Sequence, residues 1–128
     1  MRLLLDTHLL IWALDEPERL NTATRAIVED EGNEVLFSVA SIWEIAIKSA
    51  SGRADFAFDP QEVLNAAIQT GFKELTIRSQ AAVQVGKLPL YHRDPFDRLL
   101  IAQAMVEPVR FYTADALLPP YSELVTLI

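Results

Sequence analysis

The sequence predicts an α/β protein with a mostly parallel sheet of about five strands. Short apolar runs alternate with helix-like segments, the pattern of helices laid on a sheet. Neither an internal repeat nor a low-complexity tract interrupts that alternation. With 128 residues and 51% hydrophobic content, the chain can bury one compact core, so a single domain over 1–128 is expected.

The first strand falls on Arg2–Leu5, an apolar run bounded by Asp6, followed by a helix over residues 9–14. A second helix is expected over 22–31, with Asn21 as its cap and Gly32 as its stop. Residues 35–37 read as strand two, and Ser38 or Ser41 can cap the helix carrying "IWEIAIKSA", past which lies Gly52. "DPQEVLNAAIQTG" has the clearest helix punctuation: Asp59 as cap, Pro60 at the first helical position, Glu62 completing a capping box and Gly71 as terminator. Strand three is placed at 75–77, and "RSQAAVQVGKLP" forms a short helix stopped by Gly86 and Pro89. A helix over 95–105, strand four over Arg110–Thr113 and a last strand over 124–128 complete the reading. Strands separated by helices imply a sheet covered on both faces.

Composition narrows the chemistry. No cationic segment leads into a long apolar stretch, and no uninterrupted apolar run approaches about 18 residues, so a cytoplasmic protein without membrane association is expected. The absence of cysteine removes disulfides and thiolate metal sites, leaving oxygen donors and two histidines. A net charge of −7, from 11 basic and 18 acidic residues, argues against a generic nucleic-acid-coating protein, though not against local basic patches.

In open α/β sheets, ligands gather beyond the carboxyl ends of the strands. Asp6 stands at such an end after strand one, and Asp115 takes the equivalent place after strand four. Glu44 lies early in an apolar helix among Ile42, Trp43, Ile45 and Ile47, where a charge is costly unless paired. Asp97 falls in the first turn of its helix. Each has an ordinary explanation: Asp6 can cap a helix starting near Thr7, Glu44 can pair with Lys48 at i,i+4, and Asp115 can open a turn. Asp94 reads first as an N-cap ahead of Pro95. Yet four acids meeting at one edge would repel one another, and the natural compensation is a divalent cation. A carboxylate-only set suits Mg²⁺ or Mn²⁺ and the cleavage of phosphodiesters by activated water.

"LLLDTHLLIWAL", "SVASIWEIAIKSASG", "HRDPFDRLLIAQA" and "FYTAD" resemble, in order and over almost the whole chain, the four acidic blocks of PIN-domain ribonucleases, in particular the VapC-like toxins of type II toxin–antitoxin pairs. The resemblance implies a PIN-like α/β/α sandwich and a metal-dependent endoribonuclease. Asp6, Glu44, Asp97 and Asp115 would be its catalytic, metal-binding acids, with Asp94 a neighbouring candidate ligand. It also implies an RNA substrate, a cognate antitoxin that occludes the acidic pocket, a homodimer, and products with a 5′-phosphate and a 3′-hydroxyl.

Thr7 and Thr113 are candidate contacts to metal-bound water or phosphate, and equally candidate caps. Lys48, Arg53, His92, Arg93 and Arg98 flank two acidic blocks and are candidate phosphate contacts, with a solvated or salt-bridged surface role as the alternative for each. His92 is also a candidate general acid or base. Trp12 and Trp43 read as core or dimer contacts. Phe96, Tyr91 and Tyr112 are expected near the rim, with Phe96 buried. Two other readings stand beside the nuclease: an inert PIN-like binding scaffold, and a metal-dependent DNA nuclease or phosphatase using the same acids.

Overall fold

In the computed structural model, which describes residues 1–128 apart from the side chain of Asp55, the chain forms one five-stranded sheet in the order β3-β2-β1-β4-β5. The strands are β1 (Arg2–Leu5), β2 (Glu34–Ser38), β3 (Lys73–Leu75), β4 (Arg110–Thr113) and β5 (Val125–Leu127). Every neighbouring pair is parallel, so the sheet is wholly rather than mostly parallel. Six α-helices connect them: α1 (Thr7–Asp15), α2 (Thr22–Glu29), α3 (Val39–Ala50), α4 (Pro60–Thr70), α5 (Ser79–Val85) and α6 (Pro95–Val106). Among the described residues, no helix is long and apolar enough to cross a membrane.

Side chains alternate across a strand, and β1 shows both faces at work. Leu3 and Leu5 enter a core with Leu9 and Leu10 of α1, Ile45 of α3 and Val63 and Ala67 of α4. Leu4 points the other way, with Leu36, Phe111 and Leu100 and Ile101 of α6. All three β1 leucines are fully buried, which explains why the strand reads as continuous apolar sequence. The result is helix, sheet, helix in three layers.

The expected boundaries shift where a side chain competes for the backbone. Asp6 accepts the Leu9 amide, so α1 begins at Thr7 rather than residue 9. At the end of α2 the Asp30 carboxylate accepts the Gly32 amide at 2.8 Å, closing a turn that stops the helix at Glu29. Ser38, not Ser41, caps α3, its hydroxyl accepting the Ala40 amide. That turn corrects strand three from 75–77 to Lys73–Leu75: Ser38 pairs with Leu75 and then leaves the sheet, so residues 76 and 77 have no strand to join. Short 3-10 turns at Pro17–Arg19, Ala54–Phe56 and Pro119–Tyr121 have no counterpart in the sequence reading. Gly71 ends α4 in the left-handed region at φ 95°, where a side chain would be strained.

Candidate active site

The parallel pairing of β1 with β4 places their carboxyl ends side by side. Asp6 follows β1 and caps α1, its Oδ1 accepting the Leu9 amide at 2.8 Å. Thr113 ends β4, and its hydroxyl joins two of the acids: it donates to Asp6 Oδ2 at 2.5 Å and accepts the Asp115 amide at 3.0 Å. Asp115 Oδ1 in turn accepts the Leu117 amide at 2.9 Å. Backbone turns thus aim both carboxylates before any ligand arrives.

Glu44 reaches the same edge from α3 and is 2% exposed. Its two oxygens have separate partners: Thr7 donates to Oε1 at 2.6 Å, and Lys48 donates to Oε2 at 2.5 Å. Ser41 Oγ lies 2.9 Å from the Thr7 hydroxyl, a member of the cluster that the sequence marked only as a possible cap. The i,i+4 pair between Glu44 and Lys48 therefore forms, but deep in the rim rather than on the surface. Lys48 also reaches Asp94 Oδ2 at 3.2 Å, while Asp94 Oδ1 caps α6 by accepting the Phe96 amide.

Asp97 is the poorest in donors. Among the described residues its nearest cationic or N–H contact is His92 Nε2, at 3.5 Å. Burial, followed by the charges of Asp94, Glu44, Asp6 and Asp115, pushes its carboxyl up to about 8. The Asp6 carboxyl is raised by burial as well, against the lowering effect of the Thr113 and Leu9 hydrogen bonds.

His92 is held on every side. Its amide donates to the Tyr121 hydroxyl at 2.8 Å, its Nδ1 accepts the Asp94 amide at 3.0 Å, and its Nε2 lies 2.8 Å from Asp115 Oδ2. An Nδ1 that accepts a backbone N–H carries no proton, so in the neutral ring the proton sits on Nε2 and points at Asp115. Ligand atoms of His92, Asp97 and Asp115 fall within 4.8 Å of one another, a spacing that could enclose a metal ion. With Nε2–H turned to Asp115, the donors left to an ion are hard carboxylate oxygens, among them an Asp97 carboxyl raised to about 8 that lacks strong hydrogen bonds and gains from a cation.

Several expectations require revision. Arg98 does not present its guanidinium to a phosphate: NH1 donates to the Pro89 and His92 carbonyls and the Tyr121 hydroxyl, and NH2 to the Val85 and Leu88 carbonyls. It braces the segment that carries His92, because a planar guanidinium can bond several carbonyls at once. Lys48 is committed to Glu44 and Asp94, and both threonine hydroxyls are engaged by neighbouring side chains. Arg93 is exposed beside the cluster, and Arg53 lies on the surface with its guanidinium 5.7 Å from the Phe56 ring. Tyr112 is buried, its hydroxyl directed at Met1 on the opposite edge of the sheet. Trp43 is half-exposed, packing edge-on against Phe96 at 4.9 Å, so it is not a core residue. Tyr121, which fixes the His92 backbone, carries no local sequence signal, since its partner lies 29 positions away.

The family model for the PIN domain matches residues 3–119. The chain belongs to the PIN domain family. No curated protein matches it by sequence. Among solved structures, this PIN domain is similar to a chain of VapBC2 from Rickettsia felis, bound to a DNA fragment from its promoter. The two share 13% identity with a TM-score of 0.71, covering 100% of this chain and 98% of the other, a likeness of fold. PIN domains are typically nucleases, and the acids at the carboxyl edge of this one stand where open α/β sheets place their ligands.

Proposed function

We infer that this PIN domain is a metal-dependent endoribonuclease acting as the toxin of a toxin–antitoxin pair. The observation that carries the reading is the convergence of Asp6, Glu44, Asp97 and Asp115, with Asp94, on one sheet edge, with Asp97 pushed up to about 8 by burial and by its acidic neighbours. A proton on Asp97 relieves that repulsion at neutral pH, and a bound cation can take the proton's place. Asp97 and Asp115 would hold a Mg²⁺ or Mn²⁺ ion, with Asp6 and Glu44 completing the acidic wall. Such an ion, when bound, supplies an activated water and offsets charge on the phosphate.

The chain's own residues do the remaining work. Thr113 fixes Asp6 relative to Asp115, and Thr7 fixes Glu44, so the carboxylates are aimed before substrate binds. The Nε2–H of His92 holds Asp115. Arg93, exposed beside the cluster, is suited to the RNA backbone, whose approach to a chain of charge −7 needs a local cation.

An antitoxin partner is supported by the likeness to a VapBC complex and by two adjoining surface clefts. A cleft of about 490 Å³ lined by His8, Ile11, Trp12, Arg19 and Phe58 adjoins a second of about 250 Å³, which shares Ile11 and Phe58 and is rimmed by Asp15, Asp59 and Glu62. The second cleft, apolar with three acids at its rim, suits an amphipathic segment carrying basic residues. Trp43 and Ile47, exposed one turn apart on α3, offer an apolar face for a homodimer.

The test is cleavage of end-labelled cellular RNA by the purified protein with Mg²⁺ or Mn²⁺, alongside EDTA and Asp97→Asn controls. Discrete fragments with 5′-phosphates that vanish in both controls are expected. Cleavage of DNA or of a phosphomonoester, but not RNA, would replace this reading with the phosphatase or DNA nuclease. Loss of all cleavage, with tight binding of a partner peptide, would make the edge a docking surface.

A further inference from the structure

An ammonium already stands inside the acidic cluster. Lys48 Nζ lies 2.5 Å from Glu44 Oε2 and 3.2 Å from Asp94 Oδ2, and the side chain is 15% exposed. Its approach is shaped by two rings, Phe56 at 4.7 Å and Phe96 at 5.6 Å from the nitrogen, contacts that favour a cation. Two carboxylate oxygens, one from α3 and one from the start of α6, thus face the same nitrogen.

The two acids it holds are complete without any other cation. Glu44 has Thr7 on Oε1 and Lys48 on Oε2; Asp94 has the Phe96 amide on Oδ1 and Lys48 on Oδ2. Asp97 differs, with no comparably close donor among the described residues, and its oxygen lies within 4.8 Å of one on Asp115 and of a His92 ring nitrogen. Of the five acids, Glu44 and Asp94 are thus held by the protein's own ammonium, Asp6 and Asp115 by hydrogen bonds from the backbone, Thr113 and His92, and Asp97 by no donor as close. Two-metal nucleases place their ions about 3.5–4 Å apart across such a cluster, each holding one side of the reacting phosphate. A divalent ion on Glu44 and Asp94 would have to displace the ammonium or sit against it, and like charges at that range repel strongly in a water-poor site.

We propose that Lys48 takes the place of a second metal ion, so that the centre binds a single divalent cation, on Asp97 and Asp115 beside Asp6, while Glu44 and Asp94 belong to the lysine. The inference rests on reading the edge as a metal centre. It assigns the cluster's positive charge to two different sources, one exchangeable and one built into α3.

The experiment counts Mn²⁺ ions on the purified full chain by isothermal titration and electron paramagnetic resonance. The wild type is expected to bind one ion per chain and to show the spectrum of an isolated Mn²⁺. Lys48→Gln is expected to bind two, with the coupled signal of a close pair, while Lys48→Arg, which keeps the positive charge, returns the count to one. Lys48→Met retains the stem's packing on Phe56 and Phe96 and serves if the glutamine variant does not fold. Two ions in the wild type, or one in the folded charge-free variants, would overturn the proposal. A wild type that binds no Mn²⁺ would overturn the metal-centre reading itself, and this inference with it.

Discussion

His92 Nε2 lies 2.8 Å from Asp115 Oδ2, with the Asp94 amide donating to Nδ1 on the other side of the ring. The pair makes His92 a hydrogen-bond donor to a candidate metal-binding carboxylate. A neutral imidazole locked in this tautomer has no lone pair at Nε2 to offer a metal. Replacing His92 by Leu is expected to weaken Mn²⁺ binding about tenfold, the size typical of losing such a supporting hydrogen bond. His92→Gln, which can place an amide N–H near the same point, should recover much of that loss. Nitrogen coupling from a directly bound imidazole in the wild-type Mn²⁺ spectrum, lost in His92→Gln, would show instead that the ring is a ligand.

Asp97 gives the metal-free protein a definite pH dependence. Its carboxyl is at about 8 when folded against 3.8 as the ordinary value, so the folded state holds the proton more tightly. Below about pH 4 both states are protonated and the stabilising contribution is fully present. As pH rises to 8 the unfolded chain gives up its proton while the fold retains it, so stability falls across that window and levels off above it. Asp97→Asn should remove this slope, abolish cleavage, and raise metal-free stability near pH 8 by about 1–2 kcal/mol, a melting shift of roughly 5 °C. Unfolding curves in EDTA at pH 5 and pH 8 test the first and last claims. A wild type that is equally stable at both pH values, with no gain in the variant, would contradict them.

The same proton must leave when a cation arrives. Mn²⁺ affinity is therefore expected to rise by about tenfold per pH unit approaching pH 8 and to flatten above it. Titrations at pH 6.5 in two buffers of different ionisation enthalpy should report close to one proton released per ion. Release of none would mean that the ion binds away from Asp97.

Arg98 supports a loop, and its loss should behave accordingly. Arg98→Ala leaves the Val85, Leu88 and Pro89 carbonyls without their donor, at an expected cost of about 2–3 kcal/mol. Lysine should restore little of it, because one ammonium cannot reproduce the planar fork. Faster amide exchange in residues 85–92 is the diagnostic. Weakened RNA binding with unchanged melting and exchange would return Arg98 to the phosphate contacts.

Thr113→Val keeps the shape of the strand end while removing both bonds that tie Asp6 to Asp115. A loss of about 1–3 kcal/mol is expected, since a buried carboxylate oxygen and an amide each lose a partner. Chemical denaturation would measure it, and an unchanged midpoint would mean that solvent replaces the hydroxyl at no cost.

The sheet was legible because each strand and helix announces itself locally. Arg2–Leu5 is a run of apolar residues closed by an acid, and Pro60 and Gly71 punctuate α4 at both ends. The acids were legible for a different reason: Glu44 is a charge at an apolar helical position, and Asp6 and Asp115 follow strands in the same way. What stayed hidden depends on contacts between distant segments. Nothing near Arg98 shows that its donors meet carbonyls of the preceding loop, and nothing near Tyr121 points to His92. The end of β3 was equally out of reach, because it is set by where Ser38 leaves the neighbouring strand.

Threading order gives the β1–β4 pairing one more consequence. Asp6 and Thr113 lie 107 positions apart in the chain, and Thr113 joins Asp6 to Asp115 only when β4 docks beside β1. A partly made chain, even one with α1 and α3 in place, has no complete acidic edge. The edge is thus assembled by the same contact that sets β4 beside β1, and the chain carries its four strand-end and helix acids together only once that pairing is made.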